Sequence, residues 1–153
     1  MSAPADVTPA DIIERLGMSP HPEGGHYVET WRGAPGADGR AIGTAIHFLL
    51  QRGERSHWHR VDADEMWIHN AGSGIELSLA PSDAGPVDVH RLSGELDADG
   101  AAQVLVPAGS WQAARPVGEW GLVTCVVVPG FDFDGFELAA PGWEPGHNDS
   151  AVG

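Results

Sequence analysis

An all-β sandwich or barrel carrying one short N-terminal helix is the fold this sequence predicts, on three observations. After Gly25 the chain breaks into short runs of β-branched and aromatic residues, with period-two alternation or β-rich composition. Gly, Pro, Asp and Ser separate those runs at close intervals, which suits antiparallel strands better than a parallel α/β sheet. Before Gly25, one segment has its apolar residues at helical spacing.

That segment is "TPADIIERLGM". Thr8 serves as the cap, Pro9 takes the first helical position, Asp11 reaches back as in a capping box, and Gly17 stands just past the end. A helix over 8–17 is expected, with Ile12, Ile13 and Leu16 docked on the body. "SPHPEGG" then breaks the chain. Strands are expected in "HYVETW", "IGTAIHFLL", "RSHWHR", "EMWIHN", "IELSLA", "VDVHRL", "AQVLVP", "SWQAA" and "GLVTCVVV". The sequence reads as a single domain over 1–153, with a barrel over 21–138 and a Gly- and Pro-rich tail over 139–153 that only Trp143 would tie down. With 153 residues, 42% of them hydrophobic, it is long enough for one substantial core.

A net charge of -14, from 22 acidic and 8 basic residues, repels phosphate backbones, so nucleic acid is not an expected partner. The acids are spread over loops such as "GELDADG" and "GFDFDGFE", as on an ordinary solvated surface. No apolar run is long enough to span a bilayer and "MSAPADVTPADIIERL" lacks the regions of a secretory signal, so a cytoplasmic protein with no membrane partner is expected. The single cysteine, Cys125, lies in the apolar run "GLVTCVVVPG" and reads as a small core residue.

The stretch "GERSHWHRVDADEMWIHNAG" carries the densest chemistry. On a strand, His57 and His59 point the same way and their rings would converge. A turn through "VDAD" would bring a second strand alongside, with Glu65, Trp67 and His69 on one face. Imidazole plus carboxylate suits iron, manganese, nickel or zinc. The same groups also suit a hydrogen-bonded pocket without a metal, and the residues alone leave both open.

Gly53, His57, His59, Glu65 and Gly72 resemble the first cupin motif, and "GAAQVLVPAGSWQ", with Pro107 and Gly109, resembles the second. "HPEGGHYVETWRG", "SHWHRVDADEMWIHNAG", "VPAGSWQAA" and "VVVPGFDFDGFELA" together look like the Cupin_5 family, the similarity running from about His21 to Leu138. The resemblance implies a cupin double-stranded β-helix, a jelly-roll barrel, usually homodimeric, with likeness to sugar-nucleotide epimerases acting on 4-keto-rhamnose precursors. It also implies a ligand set of His57, His59, Glu65 and Gln112 for one divalent metal ion (Fe, Ni, Mn or Zn), and no nucleotide cofactor. Two departures stand out. Five residues separate His59 from Glu65, one more than usual, so the turn is longer or Asp64 takes part, and Gln112 replaces the second motif's histidine. An amide oxygen ligates transition metals less well than imidazole does. Glutamine in "PAG-x-WQAA" is itself a family feature, which shifts weight toward acid–base chemistry or plain binding.

Further candidates surround this pair of motifs. Tyr27 shares a strand face with Glu29 and Trp31, as a general acid or as an interface wedge. His47 fits the barrel floor or a satisfied core position. Trp67 and Trp111 would stack on a ligand or fill the barrel, and the resemblance places Phe133 at the barrel mouth. Three readings follow. In the first, a pocket binding a small molecule isomerises or epimerises a carbohydrate-like carbonyl compound, with His59 or His69 removing a proton and Tyr27 returning one. The second is a metal-dependent oxygenase or lyase, and the third a metabolite-binding protein without turnover. A homodimer is expected, through "HYVETWRG" adding to a partner sheet.

Overall fold

The computed structural model describes residues 7–96 and 99–146. Helix α1 spans Pro9–Leu16, with the Thr8 hydroxyl accepting from the Asp11 amide and the Asp11 carboxylate accepting from the Thr8 amide, both at 3.1 Å. Gly17 ends it in the left-handed conformation (φ 69°), where a Cβ would be strained. Among the described residues no helix is long and apolar enough to cross a membrane.

Twelve strands follow: β1 (Ser19–Pro20), β2 (His26–Arg32), β3 (Thr44–Gln51), β4 (Ser56–Val61), β5 (Asp64–Gly72), β6 (Ile75–Ala80), β7 (Asp88–Leu92), β8 (Gly100–Ala101), β9 (Gln103–Val106), β10 (Trp111–Pro116), β11 (Trp120–Val128) and β12 (Phe136–Leu138). Nine of these are the expected runs. The two-residue strands β1 and β8 and the three-residue strand β12 are additions too short to carry a periodic signal.

The strands form two six-stranded sheets, β1-β2-β3-β11-β5-β9 and β12-β4-β10-β6-β7-β8, packed face to face as a jelly roll. Their inner faces share a core of Phe48, Leu50, Trp67, Ile75, Leu77 and Val123, all at 1% exposure or less. Outside the first sheet, α1 seats Ile12 with Met18 and Leu49. Outside the second, Trp58, Trp111 and Ala113 pack with Ala139 and Trp143. The indole rings of Trp111 and Trp143 lie 4.5 Å apart, fastening the tail as far as it is described. Residues 147–153 of the expected tail lie outside the described residues.

One expectation of local pairing is corrected. Strands β4 and β5 do not form a hairpin: β4 bonds to β12 and β10, whereas β5 bonds to β11 and β9. The turn through "VDAD" is a corner between sheets, so residues of β4 and β5 meet across the barrel interior.

Candidate active site

A cavity of about 410 Å³ opens between the inner face of the first sheet and β4. Its deepest polar groups are Glu23, His59 and Glu65, exposed by 8%, 2% and 7%. Strand β4 carries a β-bulge. Gln112 of β10 pairs with His59 and Ala114 with Ser56, so three steps along β4 match two along β10. Ser56 and His59 therefore both face inward, while His57 is turned off that face and its Nε2–H donates to the Ala140 carbonyl at 2.9 Å. The convergence of the two rings expected from simple strand alternation does not occur.

Glu23 reaches the cavity from the loop "HPEGG" rather than from a strand. Its carbonyl accepts from the His57 amide at 2.7 Å, which clips the loop onto the start of β4. Gly24 lies at φ +112°, and a Cβ there would collide with the Arg55 carbonyl. Gly24→Ala is expected to destabilise the fold by about 1–3 kcal/mol from backbone strain alone. Each kcal/mol lowers Tm by roughly 2–4 °C at this size. A thermal melt checks it, and an unchanged Tm would mean that the loop is not held as described.

The proton positions follow from the partners. His59 Nδ1 faces the His57 carbonyl at 2.8 Å, and a carbonyl only accepts, so Nδ1 carries the hydrogen. His59 Nε2 then faces Glu23 Oε2 at 3.0 Å, with one proton shared between them. Burial pushes the Glu23 carboxyl up to about 8, against the lowering effect of the Ser56 hydroxyl, which donates to Glu23 Oε1 at 2.7 Å. Burial lowers the His59 imidazole, with the Glu65 charge pulling the other way. At neutral pH the pair is thus a carboxylic acid donating to a neutral imidazole. His21 is also neutral, brought down to about 4 by burial and then by His59. Its Nδ1 accepts from the Glu23 amide at 3.1 Å, so its hydrogen sits on Nε2 and the 3.6 Å approach to the Glu23 carboxyl is not an ion pair.

Glu65 enters from β5 across the barrel. Burial raises its carboxyl while His59 lowers it. Glu65 Oε1 accepts from Gln112 Nε2 at 2.9 Å, and Gln112 Oε1 accepts from the Trp67 indole at 2.8 Å. The indole N–H can only donate, so the amide oxygen is committed to it and Gln112 turns its NH₂ toward the carboxyl. The implied metal ligands His57, His59, Glu65 and Gln112 therefore do not assemble: one imidazole faces away and one amide oxygen is occupied. Among the described residues, no three His, Cys, Asp or Glu side chains are grouped to hold a metal ion.

The profile of Cupin_5, described as "Cupin superfamily (DUF985)", matches residues 10–139. The chain is a Cupin_5 protein. A crystal structure of a protein from Shewanella oneidensis superposes on this cupin with a TM-score of 0.83 at 37% identity, over 88% of this chain and 85% of the other. A hypothetical protein from Leishmania major gives 0.80 at 28% identity, over 90% of each chain. Oxalate decarboxylase from Bacillus subtilis gives 0.59 at 14% identity, over 78% of the cupin and 29% of the enzyme, a likeness of fold. No curated protein matches the chain.

The other anticipated residues divide into two groups. Tyr27, Glu29 and Phe133 line the cavity of the cupin. Glu29 stands at the rim, paired with Arg32 at 2.7 Å, and Phe133 at the mouth, 51% exposed. Trp67 lies in the core behind Gln112. His69, His47 and Trp111 are not among the residues lining this cavity. His69 Nε2–H donates to the Ser73 carbonyl at 3.0 Å, His47 Nδ1 lies 3.5 Å from the Thr124 hydroxyl, and the Trp111 indole donates to Asp83 at 2.7 Å with Arg60 over its ring. Asp64 holds the turn before β10 by accepting from the Ala108 amide at 2.9 Å. Cys125 is buried as expected, but it also lines the cavity.

Two participants went unanticipated, His21 and Glu23. Both sit in a segment read as a chain break and as the start of one family motif, with no role given to either side chain. The available signal was an imidazole and a carboxylate flanking one proline, directly before a glycine pair, since loops of special backbone shape often carry function. The mouth is set by the loop after β11. Arg40 Nε donates to the Gly130 carbonyl at 2.6 Å while its two amino groups grip Asp62 at 2.8 and 3.1 Å, and the Phe131 amide donates to Thr44 at 2.9 Å. This fixes the rings of Phe131 and Phe133, whose centroids lie 4.8 Å apart.

Proposed function

We propose that this cupin binds a small carbonyl compound and moves a proton at the carbon next to the carbonyl, an isomerase-type reaction. The observation that carries the reading is the buried Glu23–His59 pair, 3.0 Å apart at the inner end of an open cavity. Glu23 Oε1 has a lone pair left beyond the one the Ser56 hydroxyl uses. As Oε1 takes a proton from the substrate carbon, the proton on Oε2 passes to His59 Nε2, so the carboxyl stays neutral while the substrate becomes an enolate. The imidazolium formed is stabilised by Glu65. Return of a proton from Oε1 to another atom or face of the enolate completes the isomerisation, and His59 gives its proton back to Oε2. The Tyr27 hydroxyl and His21 Nε2–H make no hydrogen bond to another described residue and are free to donate to the enolate oxygen.

The test is solvent-deuterium incorporation into small carbonyl compounds, followed by proton NMR with and without protein. Exchange that depends on the protein and survives chelator is expected. Exchange lost with chelator and restored by one divalent metal would replace this relay with Lewis-acid chemistry.

We also propose that the cupin is a homodimer. Beyond the two pairs Ser19–Tyr27 and Pro20–His26, the outer edge of β2 has no strand beside it among the described residues. Trp31, Ile42 and Val128 are exposed by 47%, 55% and 53%. An open edge beside exposed apolar residues suits a second copy. Trp31→Glu is expected to convert a sedimenting dimer to a monomer at micromolar concentration. A monomeric wild type would refute the pairing.

A further inference from the structure

The lining of the cavity says which carbonyl compounds it takes, if the proton-transfer reading of its floor is right. Its wall is built from Ile46, Phe48, Val61 and Val127, with Phe131 and Phe133 at the mouth. The polar side of the lining is hydrogen-bonded or ion-paired within the protein. Glu23 is held by Ser56 and His59, Glu29 by Arg32, and Glu65 by Gln112. The Thr44 hydroxyl accepts from the Phe131 amide and Asp132 accepts from the Asp134 amide. The uncommitted donors on adjacent rings are the Tyr27 hydroxyl and His21 Nε2–H, with ring centroids 4.6 Å apart. Two neighbouring donors match a single carbonyl oxygen.

A pyranose, polar all round its ring, would bring several hydroxyls against the apolar side of the lining, Ile46, Phe48, Val61 and Val127. Each hydroxyl buried without a partner weakens binding by roughly tenfold to a hundredfold. An aromatic or branched aliphatic body buries its surface there without that loss. We infer that the substrate of this cupin is a small ketone or aldehyde with one polar head and an apolar, ring-sized body, and not a sugar. The head lies at the Glu23, His21 and Tyr27 end, and the body lies between Phe48 and the phenylalanines of the mouth.

The experiment compares phenylacetone, a neutral aryl ketone, with glucose by calorimetry and saturation-transfer NMR on the full chain. Phenylacetone is expected to bind at least about a hundredfold more tightly than glucose, given the loss per unpaired hydroxyl. Phe133→Ala, at an exposed position that leaves the fold intact, is expected to weaken phenylacetone several-fold, and Tyr27→Phe by about tenfold through the lost carbonyl donor. Glucose binding as tightly as phenylacetone overturns the inference, and so does failure of phenylacetone to bind at millimolar concentration. Its two parts separate cleanly. Phenylacetone that binds without exchanging its α-protons for deuterium keeps the ligand class and removes the proton-transfer reading. Exchange on a carbonyl sugar that binds as tightly as phenylacetone does the reverse.

Discussion

Glu23→Gln is expected to lower protein-dependent deuterium exchange by about 10²–10⁴-fold, the usual worth of a general acid–base group, while leaving fold and ligand affinity near wild type. The amide has the shape of the acid it replaces. Its NH₂ can donate to His59 Nε2 and its oxygen can accept from Ser56, so both hydrogen bonds at 3.0 and 2.7 Å persist. What the amide cannot do is take a proton at one oxygen while releasing another. His59→Ala is a harsher change, since it leaves the Glu23 carboxyl buried without its partner as well as opening a void. Ser56→Ala removes a single orienting hydrogen bond and is expected to cost about tenfold. An exchange rate for Glu23→Gln within threefold of wild type would exclude Glu23 as the proton carrier.

The second large effect is on stability as a function of pH. The Glu23 carboxyl has its pKa raised to about 8 in the folded protein, from an ordinary value of 4.5. Between these values the folded state holds a proton that the unfolded chain has released, so stability falls as pH rises. His21 does the opposite. Its folded pKa of about 4 lies below the ordinary 6.5, so between those values the unfolded chain binds the extra proton and stability rises with pH. The two slopes oppose each other below pH 6.5, and His59, also lowered, adds to the rising side. Above 6.5 the unfolded histidines lose their remaining charge within about one pH unit, and the carboxyl slope becomes the dominant one. From pH 6.5 to 8 the protein should lose about 1 kcal/mol, or roughly 2–4 °C in Tm. Glu23→Gln should abolish most of that decline. Thermal melts at half-unit pH intervals on both proteins decide it; a flat profile for the wild type would mean that Glu23 is ionised in the fold.

How much of this was legible in the sequence depends on the length scale of each signal. The capping box at Thr8 and the apolar runs of the nine longer strands are local patterns, and the fold follows from them. The cupin motifs put Glu65 and His59 on strands that meet across the barrel, and both side chains line one cavity. What strand alternation could not reveal is the bulge in β4. It depends on how β10 pairs with that strand, and "SHWH" reads as ordinary period-two alternation. The orientation of the Gln112 amide is likewise set by Trp67, forty-five positions away, so a glutamine in a ligand position reads as a ligand until its neighbour is placed. Glu23 was hidden for a third reason: a loop has no period, and its contacts with His59 and Ser56 lie more than thirty positions along the chain.

The bulge in β4 also bears on ancestry. The place of the bulge decides which ring of the His-x-His pair looks into the cavity, so moving it along β4 would exchange a single imidazole beside a carboxylic acid for a two-imidazole cage. Barrels that keep both histidines in their sequences would differ in chemistry through the place of that bulge alone. Sorting them by motif would miss the divide, whereas sorting them by strand phase opposite Gln112 would find it.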